Sequence, residues 1–194
     1  NLERVKQYVE ETDLFIAAGN HEFSLYVGEA KEDAAYRNQS LAKVQAVYHN
    51  DIRSSSRVIG GVNFVALDNG YYQFDEGELA FLKKEVEKGL PTVLMMHTPL
   101  YEPSLYEKAL DTKKRGAAYL IDVPYERMER DYDPRHFTQK ADALTHEAME
   151  YISSEPQIKA ILSGHLHFNF EGKVADRIPQ VVTGCTTVRV IEFV

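Results

Sequence analysis

Apolar positions recur along this chain at two periods, and the changes of period mark out its elements. Leu2, Val5 and Val9 fall at helical spacing with Tyr8 beside them, which predicts an opening helix. Leu14, Phe15, Ile16, Ala17 and Ala18 form an unbroken apolar run that stops at Gly19, the mark of a short buried strand. Polar helix or loop is expected from there to about Ser56. Residues 62–67 predict a further strand, ended by the turn sequence Asp68-Asn69-Gly70. Over 78–88 the period becomes helical: Leu79, Leu82 and Val86 share one face, and Gly89 follows as a stop. Residues 92–96 predict an apolar strand that ends at His97.

The pattern then breaks. Residues 98–137 are rich in tyrosine, in charges of both signs and in proline, at Pro99, Pro103, Pro124 and Pro134. A segment of this length inside a domain is expected to be an excursion, a cap over one edge of the fold. Regular patterning resumes at 138–152, an amphipathic helix with Ala141, Leu144, Ala148 and Ile152 near one face. Another buried strand is expected over 158–162, ending at Ser163-Gly164-His165. The rest is turn-rich and alternating, with antiparallel strands expected at 168–174, 181–183 and 188–194. Strands alternating with helices imply a layered α/β fold.

Three predicted strands end in polar clusters: Gly19-Asn20-His21-Glu22, His97-Thr98-Pro99 and Gly164-His165-Leu166-His167. Ligand sites of α/β folds gather at the carboxyl ends of strands, so clusters far apart in sequence can meet there. Each cluster read singly has a plain structural alternative. His165 and His167 read equally as a surface or hydrogen-bonding pair, Gly19-Asn20 as a turn, and His97 as a hydrogen-bonded structural residue. Any metal in this chain is expected to be held by nitrogen and oxygen ligands.

Composition narrows the chemistry further. The formal net charge of −8 disfavours sequence-independent binding to a phosphate backbone. Cys185 is the only cysteine, so neither an internal disulfide nor a multi-thiolate metal site is available; it is expected to be a small buried residue. No apolar run approaches the roughly eighteen residues of a membrane-spanning helix. Asp68 and Asn69 are expected to serve the turn, and His49, His136 and His146 to lie on the surface. The excursion offers Tyr101, close behind His97, as a substrate contact. Tyr119, Tyr125 and Tyr132 are candidates for an aromatic wall.

In order and residue type, Gly19-Asn20-His21-Glu22, His97-Thr98-Pro99-Leu100 and Gly164-His165-Leu166-His167 resemble the last three motifs of the calcineurin-like metallophosphoesterases. The resemblance runs from about Asp13 to Phe170 and includes the strand and helix ahead of His97. It implies an α/β/β/α sandwich and two divalent metal ions (Mn, Fe or Zn) that share a bridging aspartate and a bridging hydroxide. By motif, Asn20, His97 and His165 would bind one metal and His167 the other. His21 would stabilise the phosphoryl oxygens or protonate the leaving group. The implied activity is hydrolysis of a small phosphate ester, monoester or diester. A nuclease and a catalytically inactive protein-binding scaffold are the alternatives.

The family's D-x-H and G-D-x-x-D motifs have no counterpart here. Nineteen residues precede Asn20, and Asp13 is the sole aspartate among them. The expectation is therefore that residues 1–194 are the C-terminal portion of a metallophosphoesterase domain, lacking its N-terminal strands, with 98–137 inserted as a cap. Such a chain would be incomplete for catalysis on its own.

Overall fold

The computed structural model describes residues 2–22, 34–113, 119–131 and 140–192. Helices α1 (Leu2–Glu11) and α2 (Ala34–Gln45) precede a sheet that alternates with further helices. The sheet comprises β1 (Ser54–Ile59), β2 (Val62–Leu67), β3 (Thr92–Met96), β4 (Ile158–Ser163), β5 (Phe170–Val174) and β6 (Ile178–Val182). Its order is β1-β2-β3-β4-β6-β5. The four inner strands run parallel, and β1 and β5 close the two edges antiparallel. Helix α3 (Glu76–Val86) connects β2 to β3, and α6 (Ala143–Ser154) leads into β4. The excursion holds α4 (Pro103–Lys113) and α5 (Tyr125–Asp131). This is a mixed α/β fold, a six-stranded sheet flanked by helices.

Alternation within the strands decides what packs where. Val65 and Leu67 of β2 lie on the same face as Leu94 and Met96 of β3, and they meet Leu79, Leu82 and Val86 of α3 with Ala148, Met149 and Ile152 of α6. Ile158 and Ile161 join this cluster although three positions apart. A register shift accounts for it: Thr92 pairs with Ile158 but Val93 with Ala160, so Lys159 is the extra residue of a bulge. Asp75 starts α3 with a reciprocal capping box, accepting from the Glu78 N–H at 2.9 Å while Glu78 Oε2 accepts from the Asp75 N–H at 2.8 Å.

Five expectations need correction. Residues 13–19 form no ladder; the Asn50 side chain serves in place of a strand partner, accepting from Ile16 N–H at 3.1 Å and donating to Ile16 C=O at 2.8 Å. Ser54–Ile59 is a strand despite its polar sequence. Gly60 and Gly61, with φ of 58° and 83°, make the two-residue hairpin that folds it onto β2. β6 runs parallel to β4, although antiparallel to β5. Residues 188–192 have no regular structure, and Val188 and Val190 are exposed. The sixth helix starts at Ala143 with Asp142 as its cap, later than the pattern predicts; residues 138 and 139 lie outside the described residues, as do Tyr132 and His136.

Parallel strands place their carboxyl ends on one edge. The residues after β2, β3, β4 and β6 therefore crowd together, and the turn leading into β5 joins them. Over this edge lies a second apolar cluster: Leu105, Tyr106, Leu120, Val123 and Met128 of the excursion with Leu166 and Val182 of the core.

Candidate active site

His97 follows β3, and three constraints set its place. The first is Gly19: a Cβ there would stand 2.7 Å from His97 Nδ1 and 2.9 Å from Cε1 and Cγ, inside contact distance of the ring. Only glycine lets this backbone lie against the imidazole. The second is a turn at 19–22, where Gly19 N–H donates to Glu22 Oε2 at 2.6 Å and Glu22 N–H to Gly19 C=O at 3.2 Å. It holds Asn20 inward, 4% exposed. The third is a pair of buried amide clamps. Asn69 accepts from Thr98 N–H at 2.9 Å and donates to Thr98 C=O at 2.8 Å. Gln180 accepts from Leu100 N–H at 2.8 Å and donates to Leu100 C=O at 3.0 Å. The backbone on both sides of Pro99 is thereby satisfied without a strand partner. Asp68 keeps its expected turn role, accepting from Gly70 N–H at 3.0 Å.

His165 and His167 follow β4 by other means. Both are left-handed, with φ of 62° and 60°, which costs a non-glycine residue on the order of 1–3 kcal/mol each. Leu166 N–H bonds to Gly164 C=O at 2.7 Å, a tight three-residue turn centred on His165. Leu166 is 1% exposed within the excursion's apolar cluster, while His167 lies on the surface.

The side chains then converge. Asn20 Oδ1 is 2.8 Å from His97 Nε2, and His97 Nε2 is 3.0 Å from His165 Nδ1. The His97 and His165 rings meet edge to face, with centroids 4.8 Å apart. Ligand atoms about 2.0–2.2 Å from one ion sit about 3 Å from each other when the angle between them is near 90°. Three donor atoms at this spacing fit a divalent metal. Among the described residues no group of three or more His, Cys, Asp or Glu side chains is placed to hold one; the third donor here is the Asn20 amide oxygen. Burial first, and then the charges of His21 and His167, push the His97 imidazole down to about 4. At neutral pH it is uncharged, the form that binds a metal.

His21 and His167, both exposed, thus lie close enough to His97 for their charges to be felt there. Tyr101 packs edge to face with Tyr106 in the excursion cluster, centroids 5.9 Å apart. Tyr119, not Tyr101, stands over His165, at 5.4 Å between centroids. Tyr72 escaped the sequence reading altogether. Its hydroxyl is 2.7 Å from His165 Nε2. The available signal was its place just after Asp68-Asn69-Gly70, a strand-end turn on the same edge as the three clusters. His146 Nδ1 lies 2.7 Å from Asp122 Oδ1, a contact that ties α6 to the excursion. Cys185 is exposed rather than buried; it sits in the turn after β6 that Thr187 N–H closes onto Gly184 C=O.

The inner, parallel strands thus bring two imidazoles to their carboxyl ends, where an amide oxygen meets them. The profile of the calcineurin-like phosphoesterase family matches residues 1–169, and the chain belongs to that family. A crystal structure of a Staphylococcus aureus protein, provisionally described as a 5'-nucleotidase and bound to α-ketoglutarate, is similar over 93% of this chain at 14% sequence identity, with a TM-score of 0.44. The chain spans 34% of that protein's length. No curated protein sequence matches it. Among the described residues no helix is long and apolar enough to cross a membrane.

Proposed function

We propose that Asn20, His97 and His165 hold a divalent metal ion and that the protein hydrolyses a small phosphate ester, monoester or diester. The observation that carries this reading is the approach of Asn20 Oδ1 and His165 Nδ1 to 2.8 and 3.0 Å from His97 Nε2. Family membership supports the reaction class. Bound there, Mn, Fe or Zn would neutralise phosphate oxygens and lower the pKa of a coordinated water. His97 supplies Nε2 as a neutral donor, and Gly19 and the Asn69 clamp keep it aimed. His167 would serve a second ion. His21, exposed beside the site, would hold a proton for the departing oxygen. Residues 98–137 act as a cap, with Tyr119 nearest the site and Tyr101 further out as a substrate contact. The acidic surface restricts the substrate to a small molecule that can approach the site, rather than a nucleic acid.

The test is hydrolysis of p-nitrophenyl phosphate and bis(p-nitrophenyl) phosphate by protein carrying its natural N-terminal sequence, beside residues 1–194. Activity lost on chelation, restored by manganese and abolished in His97→Ala is the expected result. Folded protein that turns over neither ester, or a His97→Ala variant that keeps wild-type turnover, refutes the reading.

A further inference from the structure

A metal-binding imidazole presents one nitrogen to the ion, and the proton on its other nitrogen needs a partner. The atoms around His165 determine which nitrogen carries that proton. Asn20 Oδ1 has no proton of its own, so its 2.8 Å contact with His97 Nε2 requires a proton on that nitrogen in the metal-free protein. His165 Nδ1 lies 3.0 Å from the same His97 Nε2 and must accept from it. With Nδ1 bare, the neutral His165 ring carries its proton on Nε2. The group facing Nε2 is the Tyr72 hydroxyl, at 2.7 Å. Its oxygen therefore accepts.

We infer that Tyr72 is a positioning residue: its hydroxyl oxygen accepts the Nε2–H of His165 and so holds the tautomer and ring angle that aim Nδ1 at the point shared by Asn20 Oδ1 and His97 Nε2. To offer Nε2 to a metal, His97 would carry its single proton on Nδ1 instead, and the Tyr72–His165 bond would be kept. The surroundings of Tyr72 suit a fixed anchor. Its ring is 3% exposed and belongs to the main core with Phe74, Leu67 and Met96. Its φ of 66° is left-handed, and its N–H closes a turn onto Asn69 C=O at 2.9 Å. The same Asn69 clamps Thr98 beside His97. One turn after β2 thus steadies both histidines: His97 through an amide, His165 through a phenol. The ring planes of Tyr72 and His165 stand at 77°, which lets the hydroxyl meet the imidazole edge in its plane.

This inference rests on the metal-binding reading above, and the experiment separates the two. Long-range ¹H–¹⁵N spectra of the metal-free protein at pH 8 report which nitrogen of each histidine is protonated, with His165 assigned by its loss in His165→Gln. Metal affinity is then measured by titration with Mn²⁺ and Co²⁺ for the unsubstituted protein, Tyr72→Phe and His97→Ala, all with the natural N-terminal sequence. Tyr72→Phe keeps the buried ring and removes only the acceptor. Expected are the Nε2–H tautomer for His165 in the unsubstituted protein, its mixing with the other tautomer in Tyr72→Phe, and metal affinity about 10–100-fold weaker in that variant. An Nδ1–H tautomer in the unsubstituted protein overturns the inference without using any variant. So does Tyr72→Phe that binds metal within twofold of the unsubstituted protein while His97→Ala does not bind; the metal site then stands and only the role of Tyr72 falls. No metal binding by the unsubstituted protein removes both.

Discussion

The two histidine-bearing strand ends reach one point by opposite means. His97 leaves β3 and is held by what surrounds its backbone: two buried amide clamps and a neighbour with no side chain. His165 leaves β4 in a left-handed turn and is held through the next residue and its own ring: Leu166 sinks into the excursion cluster, and the ring rests against Tyr72 and Tyr119. The first site is part of the core. The second stores torsional cost that packing of the excursion offsets. Changes in the excursion should therefore reach the proposed metal site through His165 and leave His97 in place.

Leu166→Ala probes that difference most strongly. It removes a buried anchor from the excursion cluster, costing about 2–5 kcal/mol in denaturant unfolding, and it frees the strained turn. Metal affinity should fall with it, while the His97 ring keeps its contacts. Equal disturbance of both histidine signals in ¹⁵N spectra would erase the distinction between the two sides.

Acid should act on the His97 side. Its imidazole titrates near 4 when folded, against about 6.5 when unfolded, so the unfolded chain binds more protons between those values. Stability of the metal-free protein should thus decline as pH falls from about 6.5 towards 4, by up to about 3 kcal/mol, and change little from this group outside that window. His97→Asn should remove this part of the slope; an unchanged pH profile of unfolding in that variant would show that the burial of His97 contributes nothing.

Gly19→Ala places a methyl group 2.7 Å from His97 Nδ1. Either ring or backbone must move, and if His97 holds the metal as proposed, a displacement of this kind should cost about 100-fold in turnover. Wild-type kcat with an intact metal stoichiometry would mean that His97 is less tightly placed than its contacts imply. Asn69→Ala should have the smallest effect, about 1–3 kcal/mol of stability, by leaving the buried Thr98 N–H and C=O without partners. Thermal unfolding checks it, and a shift within error would show that other groups or water take over the clamp.

Much of this was legible in the chain because it depends on local pattern. The bounds of β2 and β3, the place of β4, the buried face of α3 and the histidines that follow β3 and β4 come from short-range periodicity and residue type. What was not legible depends on partners distant in sequence. Leu14 to Ala18 has the composition of a strand, but Asn50 supplies its hydrogen bonds. Ser54–Ile59 is too polar to read as a strand, although Gly60-Gly61 was a usable hairpin signal. Tyr72 could not be placed, because a left-handed backbone at a bulky residue is set by tertiary packing and not by propensity. Tyr101 is near His97 in sequence, but the fold turns it into the excursion cluster and gives Tyr119 the place against His165.

The central claim is that Asn20, His97 and His165 share one metal ion. Anomalous diffraction from crystals of the protein grown with Mn²⁺ or Zn²⁺ tests it directly. The expected result is a peak about 2.0–2.2 Å from Asn20 Oδ1, His97 Nε2 and His165 Nδ1. A peak coordinated elsewhere, or none at these three atoms with the metal in excess, would contradict it.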